Sequence, residues 1–481
     1  MGNYLYGSQI PSGQVPYSTF NDLAGWWRAD SFTGIAGGYN LIDKSSNGNN
    51  MAQQAGTLTP GTGVNSQAKF TGNSLSYFNA NLSIKNWPIT IITIAVRANN
   101  ALCGFFGHQG ASPTNTLWCG YESSNVNTIY NTSASVNTTT EAGTISVYTT
   151  RIGWGSRQTW LNGILKPTHS SATSLQSSSI GTSIGTQYRG LNCDWYETLV
   201  WDRTLSLSDL DEVNTYINTR YGMSIPLWSS YTAAPTILIW GQSNASGRGT
   251  PKSFLTSPYN AAQSNVFVWD GSGFPTLDES IGNNDYYDGF GATDFGYEAS
   301  LGYNYINRVG GSVYLFKLSQ GGTFLNNRGT GVYWRAADNS SSPNSGNKLY
   351  SVLMQNWTDA LIAFQSASKR PTMVSILGTQ GEQDATDVTA AASYQSNLTT
   401  FYNTLRPELG TDINAPIYIT RLTNGQTGEP YLSTVQLAQV NTAAILSNGH
   451  LFNTDSYSFG VNPHWSNASY IQIGIDLAAL F

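Results

Sequence analysis

The sequence predicts two domains of different class, an all-β sandwich over residues 1–225 and an α/β domain over residues 235–481, joined by a linker over residues 226–234. The length of 481 residues exceeds what one ordinary hydrophobic core accommodates. The first half carries short alternating apolar runs between clusters of Gly, Asn, Ser and Pro, which is typical of antiparallel β structure. The second half alternates apolar runs with helical periodicity, which predicts a mainly parallel sheet covered on both faces.

The first half contains strand-like runs at regular spacing and one clear helix. Turn signals such as Asn47-Gly48 and Asn162-Gly163 separate the runs, as in a β-sandwich. A helix is predicted over residues 206–217, with Ser206 as its N-cap, Asp209 in its first turn and Gly222 as its stop. The predicted strands cover residues 68–70, 89–96, 145–148, 159–161 and 197–201.

Four segments of this half resemble the concanavalin A-like, laminin-G-type sandwich: residues 25–30, 43–49, 161–163 and 197–206. The resemblance covers about residues 20–222 and implies a jelly-roll sandwich. Such domains either bind sugars or serve in assembly, and both roles stay open. Asp30 and Asp43 are either calcium ligands or ordinary loop carboxylates, so no metal is assigned.

Five apolar runs and five helical stretches define the second half. Their alternation predicts a three-layer, doubly wound domain with Trp240 and Trp269 in its core. The strands are expected at residues 236–240, 313–318, 373–378, 417–422 and, more weakly, 451–454. The helices are expected at residues 297–308, 349–365, 394–405, 434–446 and 470–480.

Three of these strands end in turns of small or polar residues that can meet at one edge of the sheet. Ser243 follows the first strand, Gly321-Gly322 the second, and residues 380–382 the third. The carboxyl ends of parallel strands are where open α/β sheets bind ligands. Nucleophilic acyl transfer needs a hydroxyl, a base and donors for an oxyanion. His464, before the last helix, is the best placed base, whereas His450 is expected to be an ordinary surface residue.

These turns resemble the SGNH hydrolases of the sialate O-acetylesterase and acetylxylan esterase group, which have a flavodoxin-like fold. The matching segments are Gly241-Gln242-Ser243-Asn244, residues 316–323, residues 378–385 and the late histidine. The resemblance implies Ser243 as nucleophile and His464 as base. It also implies an oxyanion hole from the backbone N–H groups of Ser243 and Gly322 and the side chain of Gln380.

One position departs from the family pattern. Val461 stands three residues before His464, where the family usually carries Asp. Glu382 is therefore expected to orient His464, with Asp455 as the alternative acid. The loss of such an acid can cost about 10⁴ in kcat.

Substrate contacts are expected from Gln242, Asn244 and Arg328. An acidic, aromatic stretch over residues 285–295 either lines the substrate groove or packs as an insertion. Three cysteines, Cys103, Cys119 and Cys193, are expected to be buried free thiols, although one disulfide is open.

Composition limits the partners. Charged residues make up only 10% of the chain and the net charge is −6, which argues against nucleic acid. A surface rich in hydroxyl and amide groups suits sugar contact. No apolar run is long enough for membrane insertion, and the N-terminal residues lack a signal-peptide pattern.

Together these features predict a serine O-acetylesterase for an acetylated polysaccharide or host surface glycan, working without a cofactor. A bacteriophage virion would reconcile an extracellular type of surface with the missing export pattern. Other virion proteins are then expected partners, and a homo-oligomer is compatible with the sequence. The alternatives are a non-catalytic virion adhesin or decoration protein and a secreted bacterial enzyme.

Overall fold

The computed structural model describes residues 18–34, 38–73, 77–84, 88–97, 103–108, 118–121, 126–129, 134–137, 143–167, 180–184, 193–282, 287–288, 293–326, 332–336 and 348–481. The described residues form two compact units, one ending at Ser230 and the other starting at Tyr231. None of the helices described is both long and apolar enough to cross a membrane.

The first unit is a sandwich of two antiparallel sheets, as the sequence predicts. In the described residues one sheet has the order β15-β14-β13-β8-β17-β6-β5, with β1 also paired to β17, and the other has the order β12-β11-β10-β9-β16-β7-β4-β3-β2. The strands are β1 Gly25–Arg28, β2 Phe32–Thr33, β3 Asn40–Leu41, β4 Met51–Ala55, β5 Thr59–Thr62, β6 Ala68–Thr71, β7 Tyr77–Ile84, β8 Ile89–Arg97, β9 Cys103–His108, β10 Trp118–Tyr121, β11 Val126–Ile129, β12 Ala134–Asn137, β13 Ile145–Ile152, β14 Arg157–Leu161, β15 Ile164–Lys166, β16 Ile180–Ile184 and β17 Cys193–Trp201.

The helix predicted after the last sandwich strand is α1, Leu207–Tyr221. Ser206 and Asp209 form a reciprocal capping box at its start, and Gly222 ends it in the left-handed conformation. Cys193 is a buried free thiol, as expected.

Asp30 and Asp43, the two candidate calcium ligands, are both bonded to protein donors. Asp30 pairs with Arg28 and Arg220. Asp43 accepts hydrogen bonds from the backbone N–H groups of Trp26, Ser45 and Asn49. Both carboxylates therefore have a structural role in holding their loops.

The second unit is a three-layer α/β domain around one sheet, with the described strand order β20-β19-β21-β18-β22-β23-β24. All neighbours are parallel except β20, which is antiparallel to β19. The elements are β18 Thr232–Gly241, α2 Ser243–Ser246, β19 Ala262–Val268, β20 Thr276–Asp278, α3 Glu298–Val309, β21 Val313–Ser319, α4 Leu349–Ser366, β22 Lys369–Thr379, α5 Val388–Leu409, β23 Ile417–Thr420, α6 Leu432–Ile445, β24 Gly449–Phe452, β25 Phe459–Val461, β26 His464–Trp465 and α7 Asn467–Ala478.

Alternation along β18 places its side chains in two core layers. Ile237 and Ile239 pack in a cluster with residues of α3 and α7. Trp240 faces the other way and stacks on Phe401 of α5, with ring centroids 4.0 Å apart. Trp240 and Trp269 are fully or almost fully buried, which confirms that they are core residues.

Candidate active site

Gly241, the last residue of β18, lets the chain turn tightly into the short helix α2. Its φ is +146°, and a Cβ built there would lie 1.9 Å from the carbonyl oxygen of Thr379. No side chain fits such a position. The next strand is equally close, because Gln320 N–H donates to the carbonyl oxygen of Gly241. The turn therefore lies in close contact with the carboxyl ends of both β21 and β22.

Ser243 is the first residue of α2 and is 6% exposed. As a first helical residue, its N–H has no acceptor inside the helix. The N–H of Gly322 has no hydrogen-bond partner among the described residues. A Cβ on the preceding Gly321 would lie 3.5 Å from the Ser243 Cβ, so this turn borders the serine. The two N–H groups are therefore candidate donors to an oxyanion.

His464 lies on a small antiparallel hairpin formed by β25 and β26, which was not predicted from the sequence. Its Nε2 is 2.9 Å from the Ser243 Oγ. Burial lowers the pKa of His464, the Arg248 guanidinium lowers it further, and the Asp294 carboxylate opposes both. A neutral imidazole at this distance can accept the serine proton.

Asn244 fastens the serine turn to the histidine hairpin. Its Nδ2 donates to the carbonyl oxygen of Pro463 at 3.1 Å, on one side of His464. Its Oδ1 accepts from Trp465 N–H at 3.4 Å, on the other side, and from the Tyr470 hydroxyl at 2.7 Å. Asn244 is fully buried. Its side chain is thus engaged within the protein and positions the site, while its contact with substrate stays a prediction.

Glu382 does not form the expected hydrogen bond to His464. Its carboxylate accepts hydrogen bonds from the side-chain amides of Gln242 and Asn244, the latter at 2.6 Å. Burial raises the pKa of Glu382, while the hydrogen bond from Asn244 acts in the opposite direction. Among the described residues, Glu382 is thus linked to the histidine hairpin through Asn244. Gln242 is 2% exposed and is held by Glu382, so it too is a poor substrate contact.

Asp455, the alternative acid, lies elsewhere. Its carboxylate pairs with Arg421 at 2.8 Å and accepts the N–H of Asn424 at 2.8 Å. Val461 pairs with His464 in the hairpin register and is 71% exposed. Among the described residues, no carboxylate is hydrogen-bonded to His464.

Gln380 does not donate toward Ser243 as the resemblance implies. Its Nε2 donates to the Asp384 carboxylate at 2.6 Å and to the carbonyl oxygen of Thr323 at 3.1 Å. Its Oε1 accepts from the Tyr394 hydroxyl at 2.7 Å. Both amide hydrogens are thus engaged, so the side chain has none left for an oxyanion. Burial raises the pKa of Asp384 to about 7.

Asp288, in the predicted acidic stretch, holds the glycine turn against α2. Its carboxylate accepts hydrogen bonds from Ser246 Oγ at 2.5 Å, Gly321 N–H at 3.1 Å and Gln320 Nε2 at 2.8 Å. Arg328 lies outside the described residues.

Four buried ionisable residues next to α2 were not predicted from the sequence: Lys252, Glu279, Glu298 and Lys317. Lys317 on β21 pairs with Glu298 at 3.0 Å and donates to the carbonyl oxygen of Ser246 at 3.2 Å. Lys252 pairs with Glu279 at 3.1 Å. Burial and the nearby Glu298 raise the pKa of Glu279 to about 8. The four ionisable residues lie within a span of 66 residues, from Lys252 to Lys317, so no local pattern could have grouped them.

No group of three or more His, Cys, Asp or Glu side chains that could hold a metal occurs in the described ranges. The site instead combines a hydroxyl, a base at hydrogen-bond distance and two backbone donors. These are the components of nucleophilic acyl transfer.

Comparison with known proteins identifies the family. Residues 235–481 match the model of the carbohydrate esterase, sialic acid-specific acetylesterase family. No curated protein matches the chain.

Three solved structures with similar regions are distant. NanS has 13% identity, with coverage of 52% of this chain and 97% of that chain and a TM-score of 0.40. A carbohydrate acetylesterase from Xanthomonas citri has 13% identity, with coverage of 84% and 70% and a TM-score of 0.35. A Trypanosoma rangeli sialidase has 11% identity, with coverage of 43% and 34% and a TM-score of 0.31. The family match spans half of the chain, and the chain therefore belongs to the carbohydrate esterase family of sialic acid-specific acetylesterases.

Proposed function

We propose that the second unit is a serine esterase that removes O-acetyl groups from an acetylated polysaccharide or surface glycan. The observation that carries this proposal is the 2.9 Å contact between Ser243 Oγ and His464 Nε2 at the carboxyl end of β18. The family match supports an esterase acting on carbohydrate.

In the proposed reaction, Ser243 Oγ attacks the acetyl carbonyl carbon while its proton passes to His464 Nε2. The carbonyl oxygen becomes an oxyanion, which the N–H groups of Ser243 and Gly322 stabilise. His464 then returns the proton to the departing sugar oxygen, leaving an acetyl group on Ser243. Water, deprotonated by His464, attacks this ester; as acetate leaves, His464 returns the proton to the Ser243 oxygen and restores the serine. No step requires a cofactor.

The direction of the His464 pKa supports the role of base. Burial and Arg248 both lower this pKa, which favours the neutral imidazole, the form that can accept a proton. A general base works best with its pKa near the operating pH.

The test is acetate release from acetylated glycan and from a chromogenic acetate ester. Ser243→Ala and His464→Gln should each reduce release to background, whereas Ser253→Ala, at an exposed serine of the same unit, should retain it. Mass spectrometry of quenched reactions should find the acetyl group on the peptide that contains Ser243. Equal release by wild type and Ser243→Ala across pH 6–9 would refute the proposal.

The same proposal assigns the sandwich unit to holding the enzyme at its glycan, on a bacteriophage virion. Its support is compositional: 10% charged residues and a surface of hydroxyl and amide groups. Antibodies against the chain should label purified phage particles, and Ser243→Ala should still bind the glycan. Binding without acetate release by wild type would instead favour a non-catalytic adhesin.

A further inference from the structure

The mechanism proposed above assigns no partner to Nδ1 of His464, on the side of the imidazole away from Ser243. A catalytic histidine needs its Nδ1 proton held, so that Nε2 is the nitrogen that faces the serine. Val461, Glu382 and Asp455 do not fill this role, since Val461 is apolar and exposed, and the two acids bond elsewhere.

Gly249 lies close to Nδ1 of His464. A Cβ built on Gly249 would lie 3.9 Å from His464 Nδ1, so this backbone runs past the far edge of the imidazole. The N–H of Gly249 donates to Oδ2 of Asp294 at 3.0 Å. The carboxylate and the imidazole Nδ1 are thus both close to the same glycine.

The backbone around Asp294 is fixed in this position. Asp294 forms an antiparallel bridge with Pro251. On either side of it, Lys252 N–H donates to the Thr293 carbonyl oxygen at 3.0 Å, and Phe295 N–H donates to the Thr250 carbonyl oxygen at 3.1 Å. The segment that follows α2 therefore holds Asp294 in register with Gly249, close to the histidine.

The electrostatics agree with this geometry. Of the charged side chains in the described residues, Arg248 lowers the pKa of His464 and Asp294 raises it. Glu382 lies behind Asn244 and is not one of these two. A carboxylate offers about four acceptor sites and can accept from more than one donor at once.

We propose that Asp294 is the positioning residue of the site, and that its carboxylate accepts the Nδ1 proton of His464 directly or through one water. It would keep Nε2 unprotonated toward Ser243 and stabilise the imidazolium that forms when the serine proton is taken. This inference rests on the proposed function, because it assigns the group that the Ser243–His464 pair lacks. It also explains how the chain tolerates Val461.

The test compares Asp294→Asn, Asp294→Glu and Asp455→Asn with wild type in two measurements. One is the pH profile of kcat and KM for a chromogenic acetate ester. The other is the pKa of His464 from NMR of its ring nitrogens, which is practical because the chain has only 4 histidines. Asp455→Asn is the matched control, since it removes the same charge at the rival acid.

We expect Asp294→Asn to lower kcat by up to about 10⁴-fold with little change in KM, because the lost contact acts in the transition state. The pKa of His464 should fall in the same variant, and the acid limb of the profile should move to lower pH. Asp294→Glu should recover part of kcat, and Asp455→Asn should match wild type.

An unchanged kcat in Asp294→Asn would overturn the inference. So would a lower kcat with an unchanged His464 pKa, since a purely structural residue would give that result. If wild type releases no more acetate than Ser243→Ala, the proposed function fails, yet the His464 pKa in Asp294→Asn still decides whether the two side chains interact.

Discussion

Asn244 Nδ2 donates to the carbonyl oxygen of Pro463 at 3.1 Å, and this bond ties the turn that carries the serine to the hairpin that carries the histidine. The two residues are 219 positions apart in the chain. The geometry of the Ser243–His464 pair therefore depends on a buried amide that touches neither reacting atom.

Asn244→Ala should lower kcat for ester hydrolysis far more than it changes KM. The variant frees the histidine hairpin from α2 and removes a donor from the buried Glu382 carboxylate. An unsatisfied buried charge of this kind costs about 1–3 kcal/mol or more. Asn441→Ala, which removes one amide bond to Gln395 between two helices, is the control and should retain kcat. An unchanged kcat in Asn244→Ala would show that the hydrogen bond between Asn244 and Pro463 is not needed for activity.

Gly241→Ala should prevent folding of the second unit or destabilise it severely. The added Cβ would lie 1.9 Å from the backbone oxygen of Thr379, in a turn with φ of +146°. Gly310→Ala is the control, because Gly310 also has positive φ (+82°) but meets nothing within 4 Å. Strain alone at Gly310 should cost about 1–3 kcal/mol. The urea midpoint of unfolding should be much lower for Gly241→Ala than for Gly310→Ala. Equal midpoints would contradict the close approach of Gly241 to Thr379.

Arg248→Gln should move the acid limb of the pH–rate profile to higher pH. The rate requires neutral His464, so it falls as pH drops through the His464 pKa, and Arg248 lowers that pKa. Removing the positive charge therefore raises the pKa of His464, so that the base becomes protonated at a higher pH. The shift should shrink at high salt because Arg248 is exposed. Arg308→Gln removes an exposed charge on α3 and should leave the limb in place. An identical profile in both variants would count against the electrostatic effect of Arg248 on His464.

Asp384→Asn should flatten the pH dependence of stability in the second unit. Burial raises the pKa of Asp384 to about 7, from about 3.9 in an unfolded chain. Between these values the folded state keeps a proton that the unfolded state has released, so the free energy of unfolding falls as pH rises. A shift of this size corresponds to on the order of 4 kcal/mol.

Asparagine cannot ionise, so the variant should lose that slope and exceed wild type in stability at pH 8. Urea midpoints of the second unit at pH 5, 6, 7 and 8 give the comparison. Asp412→Asn, at an exposed turn, should keep the wild-type slope. Parallel slopes in wild type and Asp384→Asn would mean that the Asp384 carboxyl is already ionised in the folded state at pH 5.

The alternation of apolar runs and helical periods was enough to predict the strands β18, β21, β22, β23 and β24 and the helices α3 to α7 of the second unit. It missed β19, because Ser264 and Asn265 are exposed on this strand and break the apolar run. It also missed the β25–β26 hairpin, which has only five residues in its strands and little apolar patterning. Short elements of this kind are fixed by tertiary contacts.

Four residues could be placed at one edge of the sheet from the sequence, since each follows a strand end or precedes the last helix: Ser243, His464, Gln380 and Glu382. It could not tell which polar partner each side chain takes. Gln380 and Glu382 bond within a buried network in which Asp384, Tyr394 and Asn244 compete as partners. Asp294 looked like part of a loose acidic stretch, because its closeness to Gly249 arises only from backbone pairing over a gap of 45 residues.

The hairpin that carries His464 has a consequence for the order of events on the ribosome. The serine turn ends the first strand of its unit, whereas the histidine arrives 221 residues later. Until the hairpin and α7 have emerged and docked, the nascent chain displays a serine with no base beside it. Hydrolytic competence should therefore appear abruptly once the hairpin has docked, and stalled chains that lack the hairpin should be inert even where the sheet has already formed.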